Sequence, residues 1–461
     1  MRSRDEFSDH TIAERFAHSF ASMEVDALPA SVRSVVVTDL IDVAGLCIAA
    51  RGTQYVRAAI EACDDPARCT ALGHDRALSA TGAALVNGTA AHGEDFDDTL
   101  EGSPAHVGAV VVPAVLATCE RHGLAGADAV RGIAAGLELM CRLNRTVPGG
   151  MHQACFHPTA VTGTFGAAFG AGVALGLSSH QLTMALGIAG SLCSGIIEYL
   201  TDGAWTKRLH AGWAAQSGVQ AAHLARRGFT GPRTVFEGDH NAFRAFSPAV
   251  TPDYDVLVGG LGEVWIAGQI AFKPYACGTM IHPYIDCMLR LAGTGVDAAS
   301  IVDMECKTSE LIVHRLWEPL SDKQAPANPY SAKFSVPYCL AVAFHDGAVG
   351  LEQFTDARLT DPAVRSLAAK VRYVVDPDDE YPDNYTGHLR VRFTDGSVES
   401  FHQPHFRGGV HAPLTREEIT AKFRRNVRYG GWSGELQEAL LDLCLGIEQV
   451  AAPLELGTFR G

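Results

Sequence analysis

Five long windows of the chain combine helical length with small apolar side chains. They are rich in Ala, Leu and Val, admit glycine where helices must approach closely, and cover residues 31–50, 78–91, 108–121, 124–145 and 159–176. The density of apolar residues predicts helices that are buried rather than surface-lying. A further helix is predicted from about Thr206 to Arg226, before a G-F-T-G-P break. The first part of the chain therefore predicts a large all-helical domain.

The pattern changes at about residue 265. It becomes a mixture of an apolar, β-branched stretch around 301–317, a helix near 362–371 and a hairpin candidate, HLRVRFTDGSVESFH. In the hairpin, apolar and charged residues alternate and the Asp395-Gly396 pair supplies a tight turn. A smaller α+β domain is therefore predicted over residues 266–408.

The last segment returns to helical signals. Thr415 and Glu418 form a capping-box pattern that opens a helix to about Val427, and a second helix is predicted from about Ser433 to Val450. These C-terminal helices could pack back on the first domain. The predicted division is 1–265 for the first part of the helical domain, 266–408 for the α+β lid domain and 409–461 for the returning helices. The fold class is mainly α with an α+β second domain.

Charge and cysteine spacing exclude several classes of function. The 461 residues include 37 basic and 52 acidic ones, a formal charge of −15 that repels nucleic acid and anionic lipid surfaces. The 12 cysteines are scattered singly, without zinc-finger or disulfide-framework spacing. The N-terminal sequence MRSRDEFSDHTIAERF carries no export signal, and no apolar run reaches the length of a membrane span. A cytoplasmic protein with free thiols is expected.

The segment AHGEDFDDTLEGSPAH, which ends at His106, is the strongest functional signal. If the preceding helix continues through it, Asp95 shares one face with Asp98 and Thr99. Gly102 then breaks the helix, so that His106 folds back toward that face. Carboxylate, hydroxyl and imidazole together suit proton transfer at a polar carbon substrate. The alternative is a polar helix end with capping residues.

Two other segments place basic side chains at helix starts. In FHPTAVTGTFGAAFGAG, His157 meets the positive end of a helix dipole, which disfavours its charged form and favours a neutral base; an ordinary capping neighbour is the alternative. In GAWTKRLHAGWAA, Lys207, Arg208 and His210 oppose the dipole. An anion should compensate them, and it is either a bound carboxylate or a nearby Asp or Glu.

A fourth segment, FKPYACGTMIHPYIDC, places Lys273 and His282 around a turn at the predicted domain boundary. Clefts between domains are favoured ligand sites, although a structured linker explains the segment equally well. The glycine-rich GAAFGAGVALG lacks the dinucleotide-binding spacing and a preceding strand. We expect no cofactor, and no metal at the E-D-F-D-D carboxylates.

Several of these segments together resemble the MmgE/PrpD family over nearly the whole chain. The matching pieces are VNGTAAHGEDFDDT with His106, FHPTAVTGTFGAA, WTKRLHAG, FEGDHNAFRAFS, KPYACGTMIHPYID, and AKFSVPY, which ends at Tyr338. The family includes 2-methylcitrate dehydratase, cis-aconitate decarboxylase and iminodisuccinate epimerase. The resemblance implies a helical domain with an inserted α+β lid, a homodimer, an active site between the domains and cofactor-free chemistry.

The resemblance also assigns roles to residues. It implies an acid-base pair of His106 and His157, with Tyr338 as a further proton donor. Carboxylates of the substrate would be bound by Lys207, Lys273, Arg208 and Thr99, while Asp95 orients an imidazole or a lysine and His282 supports binding. A lysine or a protonated imidazole would stabilise the enolate-like dianion that forms when a proton leaves the carbon next to a carboxylate.

The expected reaction is that of a lyase on a small polycarboxylate, in which proton abstraction is followed by loss of water or another substituent. Epimerisation of a substituted dicarboxylate such as iminodisuccinate, cis-aconitate-type decarboxylation and binding without catalysis remain alternatives. Relative to the decarboxylase branch, the Thr99 to His106 spacing is one residue longer. Gly278 also stands five residues after Lys273, where that branch has a histidine.

Overall fold

The computed structural model describes residues 10–64 and 66–461. Residues 1–9, which begin the segment predicted to carry no export signal, lie outside the described part. The helices, in chain order, are α1 (Ile12–Phe20), α2 (Ala30–Ala50), α3 (Gln54–Glu61), α4 (Ala80–Gly93), α5 (Gly108–His122), α6 (Gly126–Thr146), α7 (Gly150–Gln153), α8 (Pro158–Ala174), α9 (Ser179–Gly190), α10 (Tyr199–Asp202), α11 (Thr206–Arg226), α12 (Ala242–Phe246), α13 (Tyr254–Val258), α14 (His282–Ala292), α15 (Glu310–Leu316), α16 (Leu320–Gln324), α17 (Pro329–Ala332), α18 (Val336–Asp346), α19 (Asp356–Leu359), α20 (Pro362–Ala368), α21 (Arg416–Tyr429) and α22 (Glu435–Leu445).

The strands are short and few by comparison. They are β1 (Pro66–Thr70), β2 (Ala77–Leu78), β3 (Thr99–Leu100), β4 (Ile270–Ala271), β5 (Ile301–Thr308), β6 (Val371–Val375), β7 (Gly387–Phe393) and β8 (Val398–Gln403). The prediction of a mainly α protein with a smaller α+β region is confirmed. The small antiparallel pair of β1 and β2 was not predicted.

The chain divides into two compact units. The helical unit extends to Ile270 and resumes at Ile419–Gly461, and the α+β unit is Ala271–Glu418. The C-terminal helices are thus part of the helical unit. A domain is a part that folds on its own. The domain division predicted from the sequence, 1–265, 266–408 and 409–461, therefore stays a prediction.

In the helical unit, α8 lies in the centre. Its phenylalanines pack with those of α1 in one apolar core that includes Phe16, Phe20, Phe165 and Phe169. Its residues are buried along its whole length, as the sequence predicts. Among the described residues, no helix has both the length and the apolar character needed to cross a bilayer.

The close approach of α4 and α11 depends on glycine. A Cβ added at Gly88 of α4 would lie 2.7 Å from the Cα of Gly212 in α11, and a Cβ at Gly212 would lie 2.1 Å from the carbonyl oxygen of Leu85. Any larger residue would separate the two helices. His92 lies in the last turn of α4, and Lys207 and His210 lie in the first turns of α11. The close contact between the two helices therefore determines how near these side chains are to one another.

The α+β unit is built on one four-stranded sheet with the order β6-β5-β7-β8. Strands β5 and β6 are parallel, and β7 is antiparallel to both β5 and β8. The predicted hairpin is β7 and β8, and Gly396 in its turn has a φ of 86°. The predicted capping box is also confirmed. The backbone N–H of Thr415 donates to the Glu418 carboxylate at 2.8 Å, and the backbone N–H of Glu418 donates to the Thr415 hydroxyl group at 3.2 Å.

Candidate active site

The acidic segment after α4 is a loop and not a helix. Helix α4 ends at Gly93, Asp95 has a left-handed φ of 55°, and Thr99 begins β3. The expectation that Asp95, Asp98 and Thr99 share one helix face is therefore wrong. The physical reason is that successive side chains of the loop bind partners in different directions, which a regular helix does not permit.

The first residues of the loop bind α11. Lys207 Nζ lies 2.8 Å from Asp95 Oδ2. Arg208 approaches Glu94 at 3.8 Å, and Glu94 also accepts a hydrogen bond of 3.0 Å from Tyr55. Nearby acidic side chains, one of the two anions that the sequence allows, thus lie against Lys207 and Arg208. The role of Asp95 in orienting a lysine stays a prediction.

The middle of the loop is held from two other directions. Lys422 of α21 donates a 2.7 Å hydrogen bond to the carbonyl oxygen of Phe96 and lies 2.7 Å from Asp42. Asp98 accepts bonds of 3.0 and 2.9 Å from the backbone N–H groups of Val107 and Gly108, at the start of α5. The backbone on both sides of His106 is therefore fixed, since His106 N also donates to Thr159 Oγ1 at 3.0 Å.

Asp97 lies between two imidazoles. Its Oδ2 is 2.8 Å from His92 Nδ1, and its Oδ1 is 3.2 Å from His106 Nδ1. All three side chains are buried. Although burial raises the pKa of Asp97, the adjacent His106 and His92 hold it well below its ordinary value. Asp97 is thus a carboxylate anion that stabilises positive charge on His106.

His157 and His210 form a second pair, without a carboxylate. Their Nδ1 atoms are 3.1 Å apart, so that one ring donates and the other accepts. Burial, and then the charges on His92 and Lys207, lower the pKa of His157 well below 6.5 and that of His210 to about 4. His157 is the residue before α8, as predicted. Its lowered pKa favours the neutral form, and burial is the largest cause.

The two histidine pairs are joined through the ring of His92. The His92 ring is 4.6 Å from that of His106 and 5.7 Å from that of His157 in a stacked arrangement. One end of this imidazole cluster adjoins an anion, whereas the other end is kept neutral. Titratable groups whose surroundings favour opposite protonation states are a pattern typical of an acid and a base in one site.

A metal ion could bind at one point of this cluster. His92, Asp97 and His106 each offer a ligand atom, and these atoms lie within 4.8 Å of one another. An ion bound through the Nδ1 atoms would replace the contacts that both imidazoles make with Asp97. The same three residues therefore suit a hydrogen-bonded relay or a divalent cation, and chelation distinguishes the two.

The predicted residues of the α+β unit are buried within it. Tyr338 donates a hydrogen bond of 2.5 Å to the carbonyl oxygen of Gln353. His282 Nε2 lies 3.3 Å from the carbonyl oxygen of Cys277, and its ring packs against Tyr275. Lys273 is buried as well. Thr99, in the helical unit, is buried on β3.

Cys277 is an unusual thiol that the sequence did not single out. Burial raises its pKa, but a hydrogen bond with Cys339 and the charges of His282 and Lys273 lower it to about 6. It immediately precedes Gly278, the position at which the decarboxylase branch was expected to have a histidine. A thiolate beside an imidazole is a group that can accept or donate a proton.

Sequence reasoning also missed His92, Asp97 and His210 as members of the site. All three lie inside segments that the sequence does single out. His92 and Asp97 flank the turn at Asp95, and His210 follows Lys207 by three residues. The available signal was the presence of an imidazole or a carboxylate next to each predicted residue.

Comparison with known proteins identifies the family. The MmgE/PrpD N-terminal domain model matches residues 14–255, and the MmgE/PrpD C-terminal domain model matches residues 275–446. The chain belongs to the MmgE/PrpD family. A cis-aconitate decarboxylase of Aspergillus terreus is 27% identical over 477 aligned positions, which cover 97% of this chain and 96% of that protein.

Two mammalian proteins are similar over a shorter part. The cis-aconitate decarboxylase of Homo sapiens is 29% identical over 364 positions, covering 76% of this chain and 73% of that protein. The cis-aconitate decarboxylase of Mus musculus is 29% identical over 371 positions, covering 76% and 72%. At these identities the family is established, whereas the substrate is a separate question.

Proposed function

We propose that this MmgE/PrpD-family protein is a cofactor-independent lyase that acts on a small polycarboxylate. The observation that carries the proposal is the imidazole cluster, in which His106 adjoins the Asp97 carboxylate while His157 is neutral. Lys207 lies beside the same loop and supplies a cation for substrate carboxylates. We also propose that the protein works as a homodimer. Its cytoplasmic location stays a prediction.

In this mechanism His157 is the base. A neutral imidazole accepts a proton from the carbon next to a substrate carboxylate, and the negative charge moves onto the carboxylate oxygens. Lys207 stabilises that charge when the substrate carboxylate competes with Asp95 for its ammonium group. Because the pKa of His157 is well below 6.5, the base remains available in mildly acidic solution.

His106 is the acid. Asp97 stabilises its imidazolium form, so that it delivers a proton to a leaving hydroxyl group in dehydration or to carbon after carbon dioxide has left in decarboxylation. Both reactions build negative charge next to a carboxylate. Dehydration uses both histidines, His157 to remove a proton from carbon and His106 to protonate the leaving hydroxyl group, whereas decarboxylation uses only the proton donor His106, because the electron pair on carbon comes from the broken bond to carbon dioxide.

The relatives favour decarboxylation as the first reaction to test. Three proteins named cis-aconitate decarboxylase match between 76% and 97% of this chain. Gly278 favours the second candidate, dehydration of a hydroxylated polycarboxylate, because the histidine expected there in the decarboxylase branch is replaced and Cys277 stands beside it. Lys273, Tyr338 and His282 remain proposed members of the site from the resemblance.

The test is NMR in D₂O with the purified protein and separate solutions of cis-aconitate, 2-methylcitrate and iminodisuccinate. Release of carbon dioxide or formation of an alkene supports the lyase. Deuterium at an inverted carbon without elimination would instead establish an epimerase. No change in any substrate, together with saturable binding, would show a carboxylate-binding protein. The His157→Ala variant is the control for contaminating activity.

A second experiment addresses the metal. We expect turnover to survive dialysis against EDTA, since lysine and imidazole supply the positive charge of the site. Activity that is lost on chelation and restored by a divalent ion would show that His92, Asp97 and His106 hold a cation. The Asp97→Asn variant would then lose metal binding, as measured by elemental analysis.

A further inference from the structure

Two ion pairs of unequal length join the residues after α4 to the start of α11. Lys207 Nζ lies 2.8 Å from Asp95 Oδ2, whereas Arg208 Nη1 lies 3.8 Å from Glu94 Oε1. The first distance is that of a charge-assisted hydrogen bond, and the second is too long for one. Glu94 therefore neutralises Arg208 less effectively than Asp95 neutralises Lys207.

Tyr55 of α3 accounts for the longer distance. Its hydroxyl group donates a hydrogen bond of 3.0 Å to Glu94 Oε1, the same oxygen atom that faces Arg208. The side chain is buried, and burial together with the charge on Glu94 raises the pKa of Tyr55 well above 10. The hydroxyl group therefore keeps its proton and remains a donor, so that Tyr55 competes with Arg208 for one carboxylate oxygen.

The ring of Tyr55 also restrains the guanidinium group of Arg208. Arg208 Cζ lies 4.5 Å from the ring centroid, within the range of a cation–π contact. Such a contact holds the guanidinium group in place without taking up any of its N–H donors. One side chain thus acts on both members of the longer ion pair, through its hydroxyl group on Glu94 and through its ring on Arg208.

Gly93 makes this arrangement possible. A Cβ added at Gly93 would lie 2.3 Å from the Tyr55 hydroxyl oxygen and 2.4 Å from the ring atoms Cε2 and Cζ. Any larger residue at this position would push the ring away from Glu94, because such an overlap must be relieved by movement. The position of the Tyr55 hydroxyl group is therefore fixed by the packing of α3 against the end of α4.

We propose that Tyr55 is a specificity-determining positioning residue, which keeps Glu94 away from Arg208 and so allows the guanidinium group to bind a second carboxylate of the substrate. This inference rests on the proposed action on a small polycarboxylate and narrows it to substrates with at least two carboxylates. Lys207 binds one carboxylate in competition with Asp95, and Arg208 binds the other in weaker competition with Glu94. A planar guanidinium group suits this role, since it binds a carboxylate through two parallel hydrogen bonds.

The first test measures binding of tricarballylate, a saturated tricarboxylate, by isothermal titration calorimetry. Tyr55→Phe removes only the hydroxyl group, so Glu94 approaches Arg208 and the dissociation constant should rise about tenfold. Glu94→Gln removes the competing charge and should lower the constant roughly fivefold. The matched control is Tyr254→Phe, because the Tyr254 hydroxyl group also donates a bond of 3.0 Å, to the Phe236 carbonyl oxygen. This control should leave the constant unchanged.

A double variant separates positioning from a merely structural role. When Glu94→Gln is already present, Tyr55 has no competing charge to keep away from Arg208. Adding Tyr55→Phe should then change the dissociation constant by less than about twofold. A tenfold loss of affinity from Tyr55→Phe both with and without Glu94→Gln would show a structural role and overturn the proposal.

The number of carboxylates gives a second readout. Butyrate, which has a single carboxylate, should bind at least about tenfold more weakly than tricarballylate, and equal affinities would overturn the proposal. On the substrate identified by NMR, Tyr55→Phe should raise KM and change kcat by less than about twofold, because the second carboxylate lies away from the reacting carbon. A fall in kcat at constant KM would contradict a role in binding.

These experiments also distinguish the inference from the proposed function. Equal binding of tricarballylate by the wild-type protein, Tyr55→Phe and Glu94→Gln would overturn the role of Tyr55 and leave the polycarboxylate substrate standing. An absence of binding by the wild-type protein would overturn both. Circular dichroism checks that each variant is folded, and Glu94→Gln, at a partly exposed position, remains decisive if Tyr55→Phe is not.

Discussion

Two pairs of histidines in the helical unit show how the same side chain acquires opposite properties. His92 and His106 lie on either side of the buried Asp97 carboxylate, whereas His157 and His210 are hydrogen-bonded to each other, and burial and then the charges of His92 and Lys207 lower the pKa of both. Both pairs are buried, so burial alone does not distinguish them. The difference lies in the partner: an anion stabilises the imidazolium, and a cation destabilises it. The fold thereby places a histidine pair that favours the charged form beside one that favours the neutral form, as the proposed acid and base require.

The largest effect is expected from removing one member of the site. His157→Ala and Lys207→Ala should each lower kcat/KM by roughly 10²-fold or more, because one removes the base and the other the cation that stabilises developing charge. Steady-state kinetics on the substrate identified by NMR measures this. The matched control is His180→Ala, an exposed position on α9. Near-wild-type rates in both variants would place the site elsewhere.

A smaller effect, with a change in pH dependence, is expected from Asp97→Asn. Without the carboxylate, His106 loses its proton more readily, so the alkaline limb of the kcat/KM profile should move to lower pH by about one unit. At pH 8 the rate should therefore fall by up to about 10-fold. The acidic limb should stay below pH 6, because the pKa of His157 is already lowered by burial and by His92 and Lys207. An unchanged alkaline limb would contradict the assignment of His106 as the acid.

A third prediction concerns Tyr338. Its hydroxyl group is bound to the Gln353 carbonyl oxygen, and burial raises its pKa further above the ordinary value of 10. Tyr338→Phe should therefore lower kcat/KM by less than about threefold and the free energy of unfolding by about 1 kcal/mol, the usual contribution of one hydrogen bond. A loss of 10²-fold in rate would support the proton-donor role that the family resemblance implies.

The smallest effect is on stability and concerns Asp39, a buried carboxyl group of α2. Burial, and then the charges of Asp98 and Asp42, raise the pKa of Asp39 well above 3.8. The folded state therefore holds a proton that the unfolded state releases, and stability falls as pH rises from about 4 toward the folded pKa.

Asp39→Asn should remove this dependence. We expect the variant to exceed the wild type by about 1 kcal/mol in free energy of unfolding at pH 8, with little difference at pH 4. Urea denaturation at both pH values measures the effect, and Asp26→Asn at an exposed position is the control. A variant that is less stable at pH 8 would show that Asp39 is ionised and compensated.

Local signals in the sequence predicted much of the fold. The helix expected from Thr206 to Arg226 has those ends in the structure, and the Thr415 capping box and the Asp395-Gly396 turn form as expected. Each depends on residues close together in the chain. By contrast, the pairing of His157 with His210 joins residues 53 positions apart, and it depends on how closely α8 and α11 pack, where a Cβ added at Gly218 would lie 2.3 Å from the Cβ of Ala167.

The candidate site was predicted in the same uneven way. The acidic segment, His157 and Lys207 could be chosen by residue type. The turn at Asp95, which directs Asp95 toward Lys207 and Asp97 toward His92, could not be predicted from residue type. A left-handed conformation at a non-glycine residue is sparsely populated and is stabilised here by contacts from distant elements. Periodicity therefore suggested a helix, and tertiary contacts overrode it.

The most direct test is to measure the protonation states of these histidines by NMR of ¹⁵N-labelled imidazole rings at pH 7, assigned with His106→Gln and His157→Gln variants. We predict that His157 is neutral from pH 6 to pH 8 and that His106 is an imidazolium bound to Asp97 at pH 7. A charged His157, or a neutral His106 at pH 7, would contradict the proposed acid and base.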